Sequence, residues 1–135
     1  MPKFEYRHRV RYRECDPMGI VYHTHYIDYL EAARTEALRD LGLPYKRLED
    51  SGIIMPVVDL AVRYFEGARY DDIIVVTSDF GDTRPTARVR IDYEIHRESD
   101  HVHLLSGHVT LCFVNSETGR PTRAPEMLLA AFSTT

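Results

Sequence analysis

The sequence predicts an α+β fold in which one long helix packs against an antiparallel sheet. Three observations lead there. A cleanly alternating run opens the chain, a long apolar helical segment follows it, and four further strand-like runs fill most of the remainder. Elements segregated in this way, rather than alternating strand with helix, imply antiparallel pairing.

Residues 4–13 alternate. Phe4, Tyr6, His8, Val10 and Tyr12 share one face of a strand, and Glu5, Arg7, Arg9, Arg11 and Arg13 share the other. Residues from about 23 to 41 read as a helix ended by Gly42 and Pro44. Its Ile27, Leu30, Ala37, Leu38 and Leu41 recur at helical spacing, and Tyr26, Tyr29 and Ala33 widen the apolar surface well beyond one stripe. A helix this apolar on several sides is wrapped rather than laid on a surface. Residues 45–51 suit a short extra helical turn. Strands are expected at 57–65, 72–80, 86–97 and 102–114, separated by turn signals such as Glu66-Gly67 and Gly81-Asp82. In the third of these runs Ala87, Val89, Ile91, Tyr93 and Ile95 alternate with Arg88, Arg90, Asp92, Glu94 and His96. One face is therefore buried and the other solvated or charge-paired. The arginines of residues 7–13 are expected to pair across strands with acids such as Asp92 and Glu94. Residues 124–132 suit a short terminal helix or extension.

A length of 135 residues suggests one domain, 1–135, with room for one core. The chain is 44% apolar and 28% charged, a globular rather than disordered balance. Its net charge of -4 argues against a general attraction to nucleic acid. No apolar run is long enough to span a bilayer. The first seven residues lack an apolar signal core, so a cytoplasmic location is expected. Cys15 and Cys112 have no metal-type spacing and read as free thiols. His23 and His25 point apart at a helix start, and His101 and His103 sit beside a turn, so no metal site is expected. No Gly-rich phosphate loop is present.

The most informative stretch runs from Tyr12 to His23. Asp16 follows the alternating run, a Pro-x-Gly breaker follows Asp16, and a helix opens near Tyr22 or His23. A helix N-terminus offers unpaired N–H groups and a partial positive charge. Such an end can polarise a carbonyl while a carboxylate attacks it or activates water. Asp-Pro-x-Gly is also an ordinary turn, and the tetrapeptide alone favours that reading.

The longer block changes the balance. Tyr12-x-Glu14-x-Asp16-Pro17-x-Gly19-Ile20-Val21-Tyr22-His23-x-x-Tyr26, followed by Tyr29-Leu30-Glu31-Ala32-Ala33-Arg34, resembles the hotdog-fold acyl-CoA thioesterases. It is most similar to the 4-hydroxybenzoyl-CoA thioesterase family and its small bacterial acyl-CoA thioesterase branch. Gly42-Leu43-Pro44 and Ala68-Arg69-Tyr70-Asp71-Asp72 extend the likeness. The resemblance implies a long central helix wrapped by a curved antiparallel sheet. It also implies a homodimer with active sites at the subunit interface, often paired into homotetramers, and no cofactor beyond the CoA of the substrate.

It further implies that Asp16 is the catalytic carboxylate, as nucleophile or general base, and that backbone N–H groups near Tyr22, His23 and Thr24 hold the thioester oxygen. Gly19 lets the loop approach the carbonyl or merely supplies the turn. His23 orients substrate, positions water or moves a proton, or else is a polar helix-start residue. Tyr12 and Glu14 fall on the Asp16 side of the strand if the alternation holds, and either bond substrate or pack and pair with arginine. Arg84, in the loop 82–86, and Arg88 are candidates for the CoA phosphates, whereas Arg90 suits a solvated sheet face. Tyr26, Tyr29, Tyr64 and Phe65 read as core or subunit contacts, with Tyr26 also a substrate-lining candidate. Pro56, Val57 and Val58 either shape the acyl pocket or pack the core. The function expected is hydrolysis of a small acyl- or aroyl-CoA to acid and CoA. The alternative is a non-catalytic acyl-CoA-binding hotdog protein. A hydratase would need an Asp–His pair in a different motif, and a DNA-binding regulator would need an additional module.

Overall fold

The first strand, β1, spans Lys3–Arg9 in a computed structural model that describes residues 3–82 and 84–133. Thr83, within the loop expected to meet phosphate, lies outside the described residues, as do Met1, Pro2, Thr134 and Thr135. β1 pairs with β4 (Ile73–Asp79), β4 with β5 (Arg88–Arg97), and β5 with β6 (His103–Asn115). β3 (Val57–Tyr64) lies along the other edge of β6. Two short strands, β2 (Ile53–Ile54) and β7 (Pro121–Thr122), pair with the end of β6 and were not expected from the sequence. Every pairing is antiparallel.

Alternation puts Val89, Ile91, Tyr93 and Ile95 of β5 on the buried face, as the sequence requires. Ile74 and Val76 of β4 and Leu105, Val109, Leu111 and Phe113 of β6 join them. Against this face lies α1 (His25–Asp40), the longest helix, which contributes Tyr26, Tyr29, Leu30, Ala33, Ala37 and Leu38. α1 ends in a Schellman motif: the Leu43 N–H bonds the Leu38 carbonyl and the Gly42 N–H bonds Arg39. Gly42 at φ +79° takes the left-handed position that this motif needs. α2 (Tyr45–Asp50) buries Leu48, and α3 (Glu126–Ser133) buries Leu128 and Phe132 beneath Phe80. No helix is long and apolar enough to cross a membrane.

The expected arginine pairing is corrected by the strand order. β4 stands between β1 and β5, so Asp92 and Glu94 are one strand too far from the β1 arginines. Arg7 instead meets Glu98 at 2.9 Å, and Arg9 meets Asp71 at 3.2 Å.

Candidate active site

β1 stops at Arg9, short of the expected residue 13. Val10 is buried and trades backbone bonds with the segment before β4: its N–H reaches the Asp72 carbonyl, and the Asp71 N–H reaches the Val10 carbonyl. The chain then winds one 3-10 turn, Tyr12–Glu14, instead of continuing extended. Glu14 causes the winding. Its Oε1 accepts the Arg11 N–H at 2.8 Å, while the Glu14 N–H donates to the Arg11 carbonyl. That same oxygen lies 2.9 Å from His8 Nε2 and accepts the Tyr29 hydroxyl at 3.0 Å.

The turn corrects two expected placements. Tyr12 leaves the strand face and is 79% exposed, edge-on to Tyr70. Glu14 points inward with its side chain 13% exposed, joining β1, the turn and α1, rather than facing a substrate beside Asp16. Burial alone would raise the Glu14 carboxyl, but the bonds from Arg11, His8 and Tyr29 outweigh it and hold the carboxyl below its usual range. Burial and then the Glu14 acceptor push the Tyr29 hydroxyl upward, so it stays a donor.

Asp16 begins a tight turn. The Gly19 N–H bonds the Asp16 carbonyl, the Asp16 N–H bonds Ile20, and Cys15 bridges Val21. Pro17 at the second position and Gly19 at φ +82° suit a type I turn closed by a left-handed residue. The Met18 N–H caps Asp16 Oδ1 at 2.9 Å. The ordinary-turn reading holds, and the turn sets Asp16 on the loop that leads into α1. Burial, then the carboxylates of Glu14 and Asp16, raise the Cys15 thiol and lower its thiolate share.

The turn leads straight into the start of α1. The Tyr22 N–H is consumed by the Glu14 carbonyl at 2.9 Å, which removes Tyr22 from the expected backbone donors. The His25 N–H bonds the Tyr22 carbonyl. No hydrogen bond from the His23 or Thr24 N–H occurs among the described residues, so two donors remain at this helix end. The His23 carbonyl accepts the Tyr64 hydroxyl at 2.8 Å, tying the helix start to the end of β3.

A cavity of about 260 Å³ opens here, lined by Ile20, His23, Tyr26, Tyr64, Phe65 and Gly67. Tyr26 contributes ring surface only, since its hydroxyl accepts the Ala68 N–H at 3.0 Å. Of the four residues expected as core or subunit contacts, Tyr26 and Tyr29 are core, and Tyr64 and Phe65 are exposed on the single chain. Val57, at the far end of β3, is exposed too and does not line this cavity.

A second cavity of about 340 Å³ brings Arg84 and Arg88 together with Arg90. Arg90, expected on a plain solvated face, shares this cavity while bonding Asp92 at 3.1 Å. Among the described residues no group of three or more His, Cys, Asp or Glu could hold a metal ion.

Two residues of the site were missed in the sequence. Arg97, with its side chain 17% exposed, spans Asp72, Asp100 and the Gly67 carbonyl, and so holds the 66–72 segment against which Val21 and Ile20 pair. Its spacing to Asp100 in a turn was the available signal. Arg69 bridges Ile20 through its backbone, and its guanidinium lies near Gly19; it stands in the 68–72 block that extends the family likeness, but that likeness gave it no role.

A family model described as "Thioesterase-like superfamily" matches residues 10–132. A Bacillus subtilis protein provisionally named acyl-CoA thioesterase YneP is 33% identical over 112 residues, covering 83% of this chain and 80% of that one. The Haemophilus influenzae acyl-CoA thioesterase YbgC is 29% identical over 130 residues, covering 96% and 93%. The solved structure of a DHNA-CoA thioesterase from Staphylococcus aureus superposes with a TM-score of 0.88 at 30% identity, covering 99% of this chain and 91% of that one. The antiparallel sheet with its few helices is consistent with the hotdog fold of such thioesterases, and the chain belongs to the thioesterase-like superfamily as an enzyme that hydrolyses thioesters.

Proposed function

We propose that the protein hydrolyses a small acyl- or aroyl-CoA to the free acid and CoA, with Asp16 as the reacting carboxylate. One observation carries this reading: the free His23 and Thr24 N–H groups begin α1 on the same short loop that presents Asp16. Two donors at a helix N-terminus stabilise the oxyanion that forms when the thioester carbonyl is attacked. Asp16 serves by one of two routes. As nucleophile, a carboxylate oxygen bonds the carbonyl carbon, the C–S bond breaks, CoA leaves as thiolate, and water then hydrolyses the mixed anhydride. As general base, Asp16 takes the proton of a water that attacks directly. In either route His23, which lines the cavity, orients that water or the acyl group, and Gly19 lets the turn close.

Supporting the substrate assignment, the cavity beside His23 is aromatic and apolar, and the Arg84–Arg88 cavity offers cations for the CoA phosphates. No further cofactor enters this scheme. A homodimer follows from β3. Its Val57, Val58, Leu60 and Tyr64 are exposed on a strand with one free edge, whereas the exposed positions of β1, the other edge strand, are Lys3, Glu5, Arg7 and Arg9. Charge blunts the first edge, and apolar exposure invites pairing at the second. Antiparallel pairing carries the partner's Val57 toward the Tyr64 end, making the acyl site shared, with α1 as the helix the joined sheet wraps. Further pairing into a homotetramer would use other surfaces.

The test is hydrolysis of short, long and aromatic acyl-CoAs, followed by thioester absorbance. Asp16→Asn is expected to lower kcat about a hundredfold or more. Single turnover in oxygen-18 water then tests the nucleophilic route, since label enters Asp16 only when water opens the mixed anhydride at the Asp16 carboxyl carbon. Tight CoA binding with no turnover of any substrate would favour the binding-protein alternative.

A further inference from the structure

The edge of β3 carries more than apolar exposure: its charges define how a second copy sits. The Phe65 N–H bonds the Leu104 carbonyl across to β6. Backbone groups alternate along a strand, so those of Asp59, Ala61 and Arg63 also face β6, and those of Leu60 and Val62 face the free edge. Asp59 bonds His108 Nε2 at 2.8 Å and keeps acceptor capacity to spare. Arg63 makes no hydrogen bond or ion pair among the described residues.

We propose that two copies pair through β3 about a two-fold axis beside Ala61, with Asp59 of each chain against the partner's Arg63. This rests on the dimer reading above and adds its register. Positions equally far on either side of the axis meet, so Ala61 faces the partner's Ala61 and both Asp–Arg pairs form at once. Leu60 and Val62 exchange backbone bonds with the partner's Val62 and Leu60, as their orientation demands. Ala61 then falls at a non-hydrogen-bonded position, where opposed Cα atoms approach to about 4.5 Å and a small side chain fits best.

Neighbouring registers fail this test. An axis beside Leu60 sets Asp59 against the partner's Ala61, and one beside Val62 sets Arg63 there. Both leave Arg63 without a carboxylate. Like charges directly opposed would be unfavourable, and opposite ones fix register more than affinity. The chosen register also brings the partner's strand start to Tyr64 and Phe65, which border the cavity at His23.

The experiment places single cysteines at the edge and oxidises mildly. Ala61→Cys is expected to give a disulfide-linked dimer, while Leu60→Cys and Val62→Cys link weakly and the unmodified chain not at all. Independently, Asp59→Arg should weaken the dimer at least about tenfold by sedimentation, through arginine facing arginine. Asp59→Arg combined with Arg63→Asp should restore it. A monomer for the unmodified chain at working concentration would overturn the shared-site dimer itself. A dimer that links best through residue 60 or 62, or through none of the three, or that the charge swap fails to rescue, would overturn the register alone.

Discussion

Glu14 concentrates three hydrogen bonds on one carboxylate oxygen, and its own carbonyl holds the Tyr22 N–H. The residue two before Asp16 is thus the anchor from which the Asp16 turn is hung. Replacing it by glutamine keeps the shape but weakens charge-assisted bonds, each worth about 1.5–3 kcal/mol. Glu14→Gln should lower stability toward denaturant at neutral pH and lower kcat more than it alters KM. The pH dependence has a definite sign. A carboxyl held below its unfolded value stabilises the fold above that unfolded value, about 4.3, and the contribution fades as pH falls through the lower folded value. The stability gap between native chain and variant should therefore narrow on acidification, as read from denaturant midpoints at each pH. A gap that stays constant into strong acid would mean that Glu14 acts by shape alone.

At the scale of elements, what could be read in advance was whatever rested on periodicity. α1 and the four later strands of the sequence reading lie within about two residues of their expected ends, because alternation and helical spacing are local signals. The Schellman end at Gly42 was legible for the same reason. What misled was a run that kept alternating after the strand had ended. Arg11 and Arg13 continue the charge pattern of β1, yet the Glu14 side chain folds back to the Arg11 N–H and winds the chain. Tertiary partners, His8 and Tyr29, make that winding worthwhile, and neither is visible as a partner in one sequence. Strand order was equally hidden, which is why the arginine ladder was matched to the wrong acids. The bracing by Arg97 also depends on order, since it joins the end of β5 to the 66–72 segment. Arg97→Ala should destabilise by about 2–3 kcal/mol by leaving Asp72 and the Gly67 carbonyl short of donors. It should raise amide exchange at Val21 and Ala68 ahead of global unfolding.

For the molecule as a whole, β6 joins the two sides of the sheet, carrying β5 on one edge and β3 on the other. Gly107 is where β3 comes closest. A Cβ there would stand 2.6 Å from the Ala61 carbonyl and 2.7 Å from Val62 Cγ1, and the first of these is backbone that cannot swing away. Gly107→Ala should therefore cost about 1–3 kcal/mol in overpacking strain. It should also loosen the proposed dimer, because the strand pushed aside is the strand proposed to pair. Calorimetry and sedimentation on one sample would show both effects, and loss of one without the other would separate β3 from assembly. The proposed Asp16 chemistry has a different dependence. Its turn is closed by backbone bonds, one proline and one glycine, and its oxyanion donors are main-chain N–H groups. The side chains facing the cavity, Ile20, Tyr64 and Phe65, take no part in closing that turn. On this proposal Ile20 and His23 sit within the reacting segment, but Tyr64 and Phe65 lie outside it, so a lineage can change acyl preference at these two positions without rebuilding the reaction.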